Sequence, residues 1–97
     1  MEHPELARLL LDLVRRRGPH SSICPSEAAR AWQEACPDVG PGEAWRHWME
    51  PTRAAARELH ARGLVEFTQR GRPVDPEQAR GPIRLRWTGR SERSDED

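Results

Sequence analysis

The sequence predicts a small α+β domain that is mostly helical. Three stretches place apolar residues at the spacing of an amphipathic helix, and two later stretches alternate apolar with polar residues as strands do. Of the 97 residues, 35% are hydrophobic and 33% are charged. A chain of this length and composition has room for one modest core under a strongly charged surface, so we expect a single domain.

The first helix is predicted from Pro4 to Arg17. Proline is tolerated at the first helical position because its missing N–H would have no partner there. Arginines in the last turn suit the negative end of the helix dipole, and Gly18-Pro19 ends the helix. The apolar residues follow the i, i+3, i+4, i+7, i+8 spacing of one buried stripe: Leu6, Leu9, Leu10, Leu13 and Val14.

A short extended segment, Ser21–Ile23, separates the first helix from the second, which is predicted from Pro25 to about Ala35. The inner face of this second helix is expected to consist of Ala28, Ala29 and Trp32. Residues 36–42 contain two prolines and two glycines, which cannot continue a helix. We therefore predict a loop there.

The third helical pattern resumes near Glu43 and meets a proline at residue 51. The proline ring crowds the carbonyl four residues before it, so the helix either kinks at Pro51 or restarts with Pro51 in its first turn. The restart is favoured, which gives a main third helix from about Pro51 to Arg62 with Gly63 as its C-cap. The inward arc is expected to contain Trp45, Trp48, Thr52, Ala55, Ala56, Leu59 and Gly63.

Two strands are predicted after the third helix. The first contains Leu64, Val65 and Phe67, and the second contains Ile83, Leu85 and Trp87 in alternation with arginines. In the long connection between them, Asp75 is placed to cap a helical turn, with Pro76 at its first position and Gln78 closing a capping box. Gly81-Pro82 then turns the chain into the last strand.

Three helices followed by a two-stranded hairpin form the arrangement of a winged helix-turn-helix domain. We predict this domain over residues 1–87 and a disordered acidic tail over residues 88–97, because only polar residues follow Trp87. The N-terminus lacks the basic and then apolar pattern of a signal peptide, and no apolar run could span a membrane. A cytoplasmic protein is expected.

Several stretches of the sequence are distinctive as a set: Ile23–Arg30, Trp45-Arg46 with Met49, Arg53–Ala55, Thr68–Pro76, which is the most specific, and Arg80–Arg84. Together they resemble a family of small bacterial proteins catalogued as domain-of-unknown-function family 3253. The resemblance extends roughly from Leu6 to Trp87, and it implies a fold similar to that of winged-helix proteins without implying any activity. The sequence departs from the usual pattern of the family at Pro51 and in a longer loop between the second and third helices.

The charge of the chain is balanced overall but unevenly distributed. Sixteen arginines offset sixteen acidic residues. Residues 53–87 contain eight arginines and four acidic residues, whereas residues 88–97 contain two arginines and four acidic residues. A basic C-terminal half is typical of a surface that binds an anionic partner, and the acidic tail follows it.

The third helix is the first candidate for nucleic-acid binding. With Leu59 facing the core, Arg46, Arg53 and Arg57 fall on the opposite arc of the helix, beside the small residues Ala54 and Ala61. Small residues near exposed arginines allow a helix to approach the major groove closely. The alternative is an ordinary solvated face, with Arg53 paired to Glu50 or Arg57 paired to Glu58.

The predicted hairpin, or wing, is the second candidate. Arg70 and Arg72 flank Gly71 at a loop tip, and Arg80 lies in the long connection, where loop length favours a functional role. These side chains could neutralise phosphates or enter a minor groove. For Arg84 and Arg86, the alternative is that they only form the outer face of a strand opposite Glu66.

The sequence evidence for other kinds of functional site is weaker. The four tryptophans are expected in the core rather than as stacking platforms for bases. Two cysteines and four histidines lack the paired spacing of a metal site, and Cys24 with His20 lacks the further groups that nucleophilic catalysis needs. We therefore expect a non-enzymatic module without cofactor or metal that binds double-stranded DNA as a regulator or accessory protein. The alternative is a protein–protein adaptor that uses the wing or the first helix.

Overall fold

Three helices precede a three-stranded antiparallel sheet, with the elements in the predicted order. The structure, a computed structural model, describes residues 3–35 and 42–90. Its elements are α1 (Pro4–Arg17), α2 (Pro25–Ala35), a 3₁₀ helix (Gly42–Trp48), α3 (Met49–Ala61), β1 (Val65–Gln69), β2 (Arg72–Val74) and β3 (Arg84–Trp87). The predicted α+β fold is confirmed, and its arrangement is winged-helix-like.

Helix α1 has the predicted bounds, but its buried stripe is rotated slightly. Gly18 follows the helix at a φ of 85°, and its N–H donates to the carbonyls of Val14 and Arg15. Leu9 and Leu13, which are predicted in the stripe, are only half-buried at its edge. The buried residues of the helix are Leu6, Ala7, Leu10, Leu11 and Val14.

Helix α2 also has the predicted bounds, and the extended segment before it joins the sheet. Ile23 and Leu85 exchange two backbone hydrogen bonds of 2.8 Å as an isolated antiparallel bridge. The Glu27 carboxylate accepts a hydrogen bond from the Cys24 backbone N–H at 3.0 Å, which closes the start of the helix. The predicted loop over residues 36–42 lies outside the described residues except for Gly42.

The helix after the 3₁₀ segment restarts near Pro51, as predicted. Helix α3 begins at Met49, two positions earlier than expected, so Pro51 lies in its first turn, where its missing N–H has no helical partner. At the other end, Gly63 has a φ of 78°, and its N–H donates to the His60 carbonyl. The Leu64 N–H donates to the Leu59 carbonyl, which completes a Schellman motif. Gly63 therefore lies one position beyond the C-cap, which is Arg62.

The sheet has one more strand than the predicted two-stranded hairpin. Strand β1 is central, in the order β2-β1-β3. It pairs with β3 in a register that places Phe67 opposite Leu85 and Val65 opposite Trp87. The additional strand β2 occupies an edge, where Pro73 lacks an N–H without breaking a central ladder. Proline normally argues against a strand, which is why the sequence pattern failed to predict this one.

The core lies between α1, α3 and the inner face of the sheet. Its largest fully buried side chains are Leu6, Leu10, Ile23, Leu59, Leu64, Leu85, Val14, Val65 and Thr52. Trp32, Trp48 and Trp87 are half-buried and pack against this core. No helix among the described residues has the length and apolar character needed to cross a membrane.

The start of the predicted disordered tail is bonded to the domain. The Thr88 N–H donates to the Leu64 carbonyl at 3.1 Å, and the Thr88 hydroxyl donates to the Gly63 carbonyl at 2.7 Å. The Trp87 indole N–H donates to the Arg90 carbonyl at 2.8 Å. Residues 88–90 therefore extend the predicted domain, and residues 91–97 lie outside the described residues.

Candidate nucleic-acid interface

The tip of the wing is a two-residue turn between β1 and β2. Gln69 pairs with Arg72, and the two residues between them have positive φ angles, 54° at Arg70 and 81° at Gly71. Two consecutive positive φ angles define a type I′ turn, whose twist matches that of the flanking strands. Asparagine, aspartate or glycine normally occupies the first of these positions, so an arginine there is unusual.

An open cleft of about 1010 Å³ lies between this tip and the long connection that follows β2. It is lined by Thr68, Gln69, Arg70, Arg72, Pro73, Val74, Arg80, Pro82 and Arg84. The structure thus brings together the three wing residues singled out from the sequence. Arg70, Arg72 and Arg80 are all exposed, and their side chains make no hydrogen bond or ion pair within residues 3–35 and 42–90.

The long connection is fixed at two points, and these set the position of Arg80. The Gln69 side-chain amide donates to the backbone carbonyls of Arg80 and Pro82. The Asp75 carboxylate accepts a hydrogen bond from the Glu77 N–H at 2.9 Å, and the Asp75 carbonyl accepts from the Ala79 N–H, also at 2.9 Å. Asp75 therefore caps a turn as predicted, although no described bond from the Gln78 side chain completes a capping box.

Two further arginines of the wing are engaged in the fold. Arg84 donates to the hydroxyl of Ser22 at 2.7 Å and to its carbonyl at 2.9 Å, and it lies 3.9 Å from the Glu27 carboxylate. Arg86 donates twice to one carboxylate oxygen of Glu66, at 3.0 and 2.7 Å. These contacts support a structural role on the outer face of the strand for Arg84 and Arg86.

The exposed face of α3 carries two of the predicted arginines. Arg53 is exposed and has no hydrogen-bond or ion-pair partner in the described part of the chain. Arg57 lies 3.2 Å from the Glu50 carboxylate, a pairing that differs from both pairings expected from the sequence. Ala54 and Ala61 are exposed, as a closely approached face requires.

Arg46 lies in the 3₁₀ helix rather than on α3. Its guanidinium carbon is 5.0 Å from the centroid of a Trp45 ring, and the guanidinium carbon of Arg30 on α2 lies 4.5 Å from a centroid of the same side chain. Trp45 is half-buried and, among the described residues, does not belong to the set of side chains packed against the core. The prediction of a core role is therefore wrong for Trp45, because α2 and two arginines contact its ring instead.

Sequence reasoning missed Arg30 as a residue of interest. No local pattern indicates it, because its contact with Trp45 depends on how the 3₁₀ helix packs against α2. A similar limit applies to Arg84, whose anchor is Ser22, 62 positions earlier in the chain.

In the part of the chain that the structure describes, the cysteine and histidine side chains do not gather into a site. Cys24 is a free, half-buried thiol whose sulfur accepts a hydrogen bond from the Ser26 hydroxyl at 3.1 Å. Cys36 lies outside the described residues. Within residues 3–35 and 42–90, no group of three or more histidine, cysteine or acidic side chains is placed to hold a metal ion.

These features define a small winged-helix-like α+β domain with an arginine-lined wing. Residues 3–88 match the model of the family described as "Protein of unknown function (DUF3253)", and the chain belongs to that family. The resemblance found in the sequence is thereby confirmed. No curated protein matches the chain.

Proposed function

We propose that this domain is a cytoplasmic, non-enzymatic module that binds double-stranded DNA as a regulator or accessory protein. The observation that supports the proposal best is the wing cleft, where Arg70, Arg72 and Arg80 are exposed and lack acidic partners in the described chain. A guanidinium without an intramolecular partner loses no ion pair when it meets a phosphate. Each phosphate that it neutralises also releases condensed counterions, which favours binding at low salt.

The conformation of Arg70 adds a second argument. A left-handed backbone costs an L-residue about 1–2 kcal/mol, and strain of this kind accumulates at functional sites. Arg70 adopts it at a φ of 54°, at the outermost point of the hairpin. In the proposed complex this side chain contacts a phosphate or enters a minor groove, where arginine is favoured.

Helix α3 supplies the groove contacts in this proposal. Arg53 has no described partner, and the ion pair of Arg57 with Glu50 is exposed, so it adds little to stability and can exchange for a phosphate or a base edge. Arginine can form two hydrogen bonds with guanine in the major groove. The exposed Ala54 would let the helix approach the bases.

A charge-matched pair of variants tests this proposal. We expect Arg70→Ala with Arg72→Ala to weaken binding to random-sequence duplexes. The salt slope, which is the magnitude of the slope of log K against log salt concentration, should decrease by about 0.9 for each phosphate that is no longer neutralised. Arg8→Ala with Arg16→Ala removes the same charge from exposed positions of α1. Equal effects of the two pairs in a fluorescence-anisotropy titration would contradict a specific role for the wing.

The second candidate function is the protein–protein adaptor, and one feature favours it. A groove of about 410 Å³ follows α1 and is lined by Glu5, Arg8, Leu9, Leu11, Asp12, Arg15, Trp32 and Ala35. Its mixture of apolar and oppositely charged side chains suits a protein partner better than a polyanion. The adaptor hypothesis predicts that the domain binds duplex DNA no better than the nonspecific level, even at low salt. The same titration therefore separates the two candidate functions.

A further inference from the structure

A cluster of two arginines around one tryptophan stands apart from the wing. It consists of Arg30 on α2 with Trp45 and Arg46 on the 3₁₀ helix, and we call it the Trp45 cluster. The guanidinium carbons lie 4.5 Å (Arg30) and 5.0 Å (Arg46) from Trp45 ring centroids. Both contacts are within the range of favourable cation–π attraction.

The Trp45 cluster places two guanidinium groups over one indole at the surface. Arg30 and Arg46 are exposed, and both of their guanidinium groups lie over the same indole side chain. The Arg30 side chain makes no hydrogen bond or ion pair within the described residues. Arg30 can therefore meet an anion without losing an ion pair to any of the described residues.

Contact with the ring also prepares Arg30 for binding. A guanidinium that lies over an aromatic ring keeps N–H groups around its edge, and these fit the oxygens of a phosphate. The contact with Trp45 restricts the long side chain before any ligand arrives, so less conformational entropy is lost on binding. Trp45 is half-buried, and among the described residues it is not one of the side chains that pack against the core.

The position in the fold indicates which phosphate the cluster would meet. The 3₁₀ helix ends at Trp48, immediately before α3 begins at Met49, and it packs against α2. In a helix-turn-helix complex the first helix of the motif crosses the DNA backbone, while the N-terminal residues of the second reach the bases. Here α2 carries Arg30, and Arg46 precedes the N-terminus of α3.

We propose that the Trp45 cluster is a second phosphate-binding site, which holds the DNA backbone beside the N-terminal end of α3. This inference rests on the proposed duplex binding and adds a contact that is independent of the wing. Arg30 is the principal ligand for the phosphodiester, and Trp45 is a positioning residue that orders it.

The test measures the binding of one random-sequence duplex to the full chain over a series of salt concentrations. We expect Arg30→Ala to weaken binding and to lower the salt slope by about 0.9, the value for one phosphate contact. Trp45→Leu removes no charge, and it should still weaken binding about two- to fivefold because Arg30 is no longer ordered. In the Arg30→Ala background, Trp45→Leu should have a smaller effect, since the two residues act as one unit.

Arg16→Ala is the matched control, because it removes one exposed arginine, on α1, whose ion pair with Asp12 is also exposed. It should leave the salt slope nearly unchanged. Circular-dichroism melting of each variant reports whether the fold is retained, as we expect for side chains outside the core.

The outcomes separate the two proposals. If the wild type binds and the wing double variant weakens binding, but Arg30→Ala behaves like Arg16→Ala, the second site is wrong and the proposed function remains. Additive effects of Trp45→Leu and Arg30→Ala would also contradict the positioning role. If the wild type binds no duplex, the proposed function fails, and the second site fails with it.

Discussion

Replacing Arg70 by asparagine is expected to stabilise the fold and to weaken duplex binding at the same time. Arg70 has a φ of 54°, in a region that costs an L-residue about 1–2 kcal/mol and that asparagine tolerates better than other side chains. The first central position of a type I′ turn followed by glycine is where asparagine is preferred. Relief of half of that cost would raise the free energy of unfolding by about 0.5–1 kcal/mol. For a domain of this size, that gain corresponds to an increase in Tm of about 2–8 °C.

The same substitution removes one guanidinium from the wing cleft. We expect the affinity for a random duplex to fall and the salt slope to decrease by about 0.9. Thermal unfolding followed by circular dichroism and an anisotropy titration measure the two effects on the same sample. The substitution thus separates the stability of the turn from the function of its side chain.

Arg70→Ala is the matched control for the turn. Alanine also lacks the charge but retains the cost of a left-handed backbone, so it should reduce the affinity equally without raising the stability. If Arg70→Asn lowers the Tm, or if alanine stabilises the domain equally, the argument from backbone strain is refuted. An unchanged affinity in both variants would remove Arg70 from the interface.

Three further predictions concern a core position, the wing loop and α3. Thr52→Val should raise the free energy of unfolding by about 1 kcal/mol in a denaturant titration. The reason is that the Thr52 side chain is fully buried and its hydroxyl has no hydrogen-bond partner in the described structure. A loss of stability would show that the hydroxyl has a hydrogen-bond partner. Asp75→Ala should destabilise the capped turn by about 0.5–2 kcal/mol. Amide exchange should therefore accelerate over residues 76–80, while exchange in α1 stays unchanged. Global unfolding of this variant would show that the loop supports the core. Arg53→Ala should reduce the difference in binding free energy between duplex sequences by about 1–3 kcal/mol for each base that Arg53 contacts. A uniform reduction in affinity for all sequences would instead indicate that Arg53 contacts a phosphate.

The helices could be predicted from the sequence because the signals that bound them are local. Pro4 and Gly18 bracket α1, and the restart at α3 follows from the steric demands of Pro51. Strand β2 could not be predicted in this way. Its existence depends on pairing with β1 across the Arg70-Gly71 turn, and Pro73 is a local signal against it.

The candidate site shows the same division between local and long-range information. The wing arginines could be identified because they cluster in the sequence around Gly71 and in a loop of unusual length. The role of Trp45 could not, because a helical wheel assigns it an inward face, and only the packing of the 3₁₀ helix on α2 brings Arg30 to its ring. Aromatic residues at helical spacing are normally core residues, so this exception requires the tertiary structure.

The measurement that tests the central proposal most directly is the titration of the wild-type chain with a random duplex at about 50 mM and about 200 mM salt. The proposal predicts binding at micromolar protein in the lower salt. It also predicts a steep fall in affinity at the higher salt, because log K should fall against log salt concentration with a slope of about 0.9 in magnitude for each phosphate contact. Absence of any complex at the lower salt would contradict duplex binding and would favour the adaptor function.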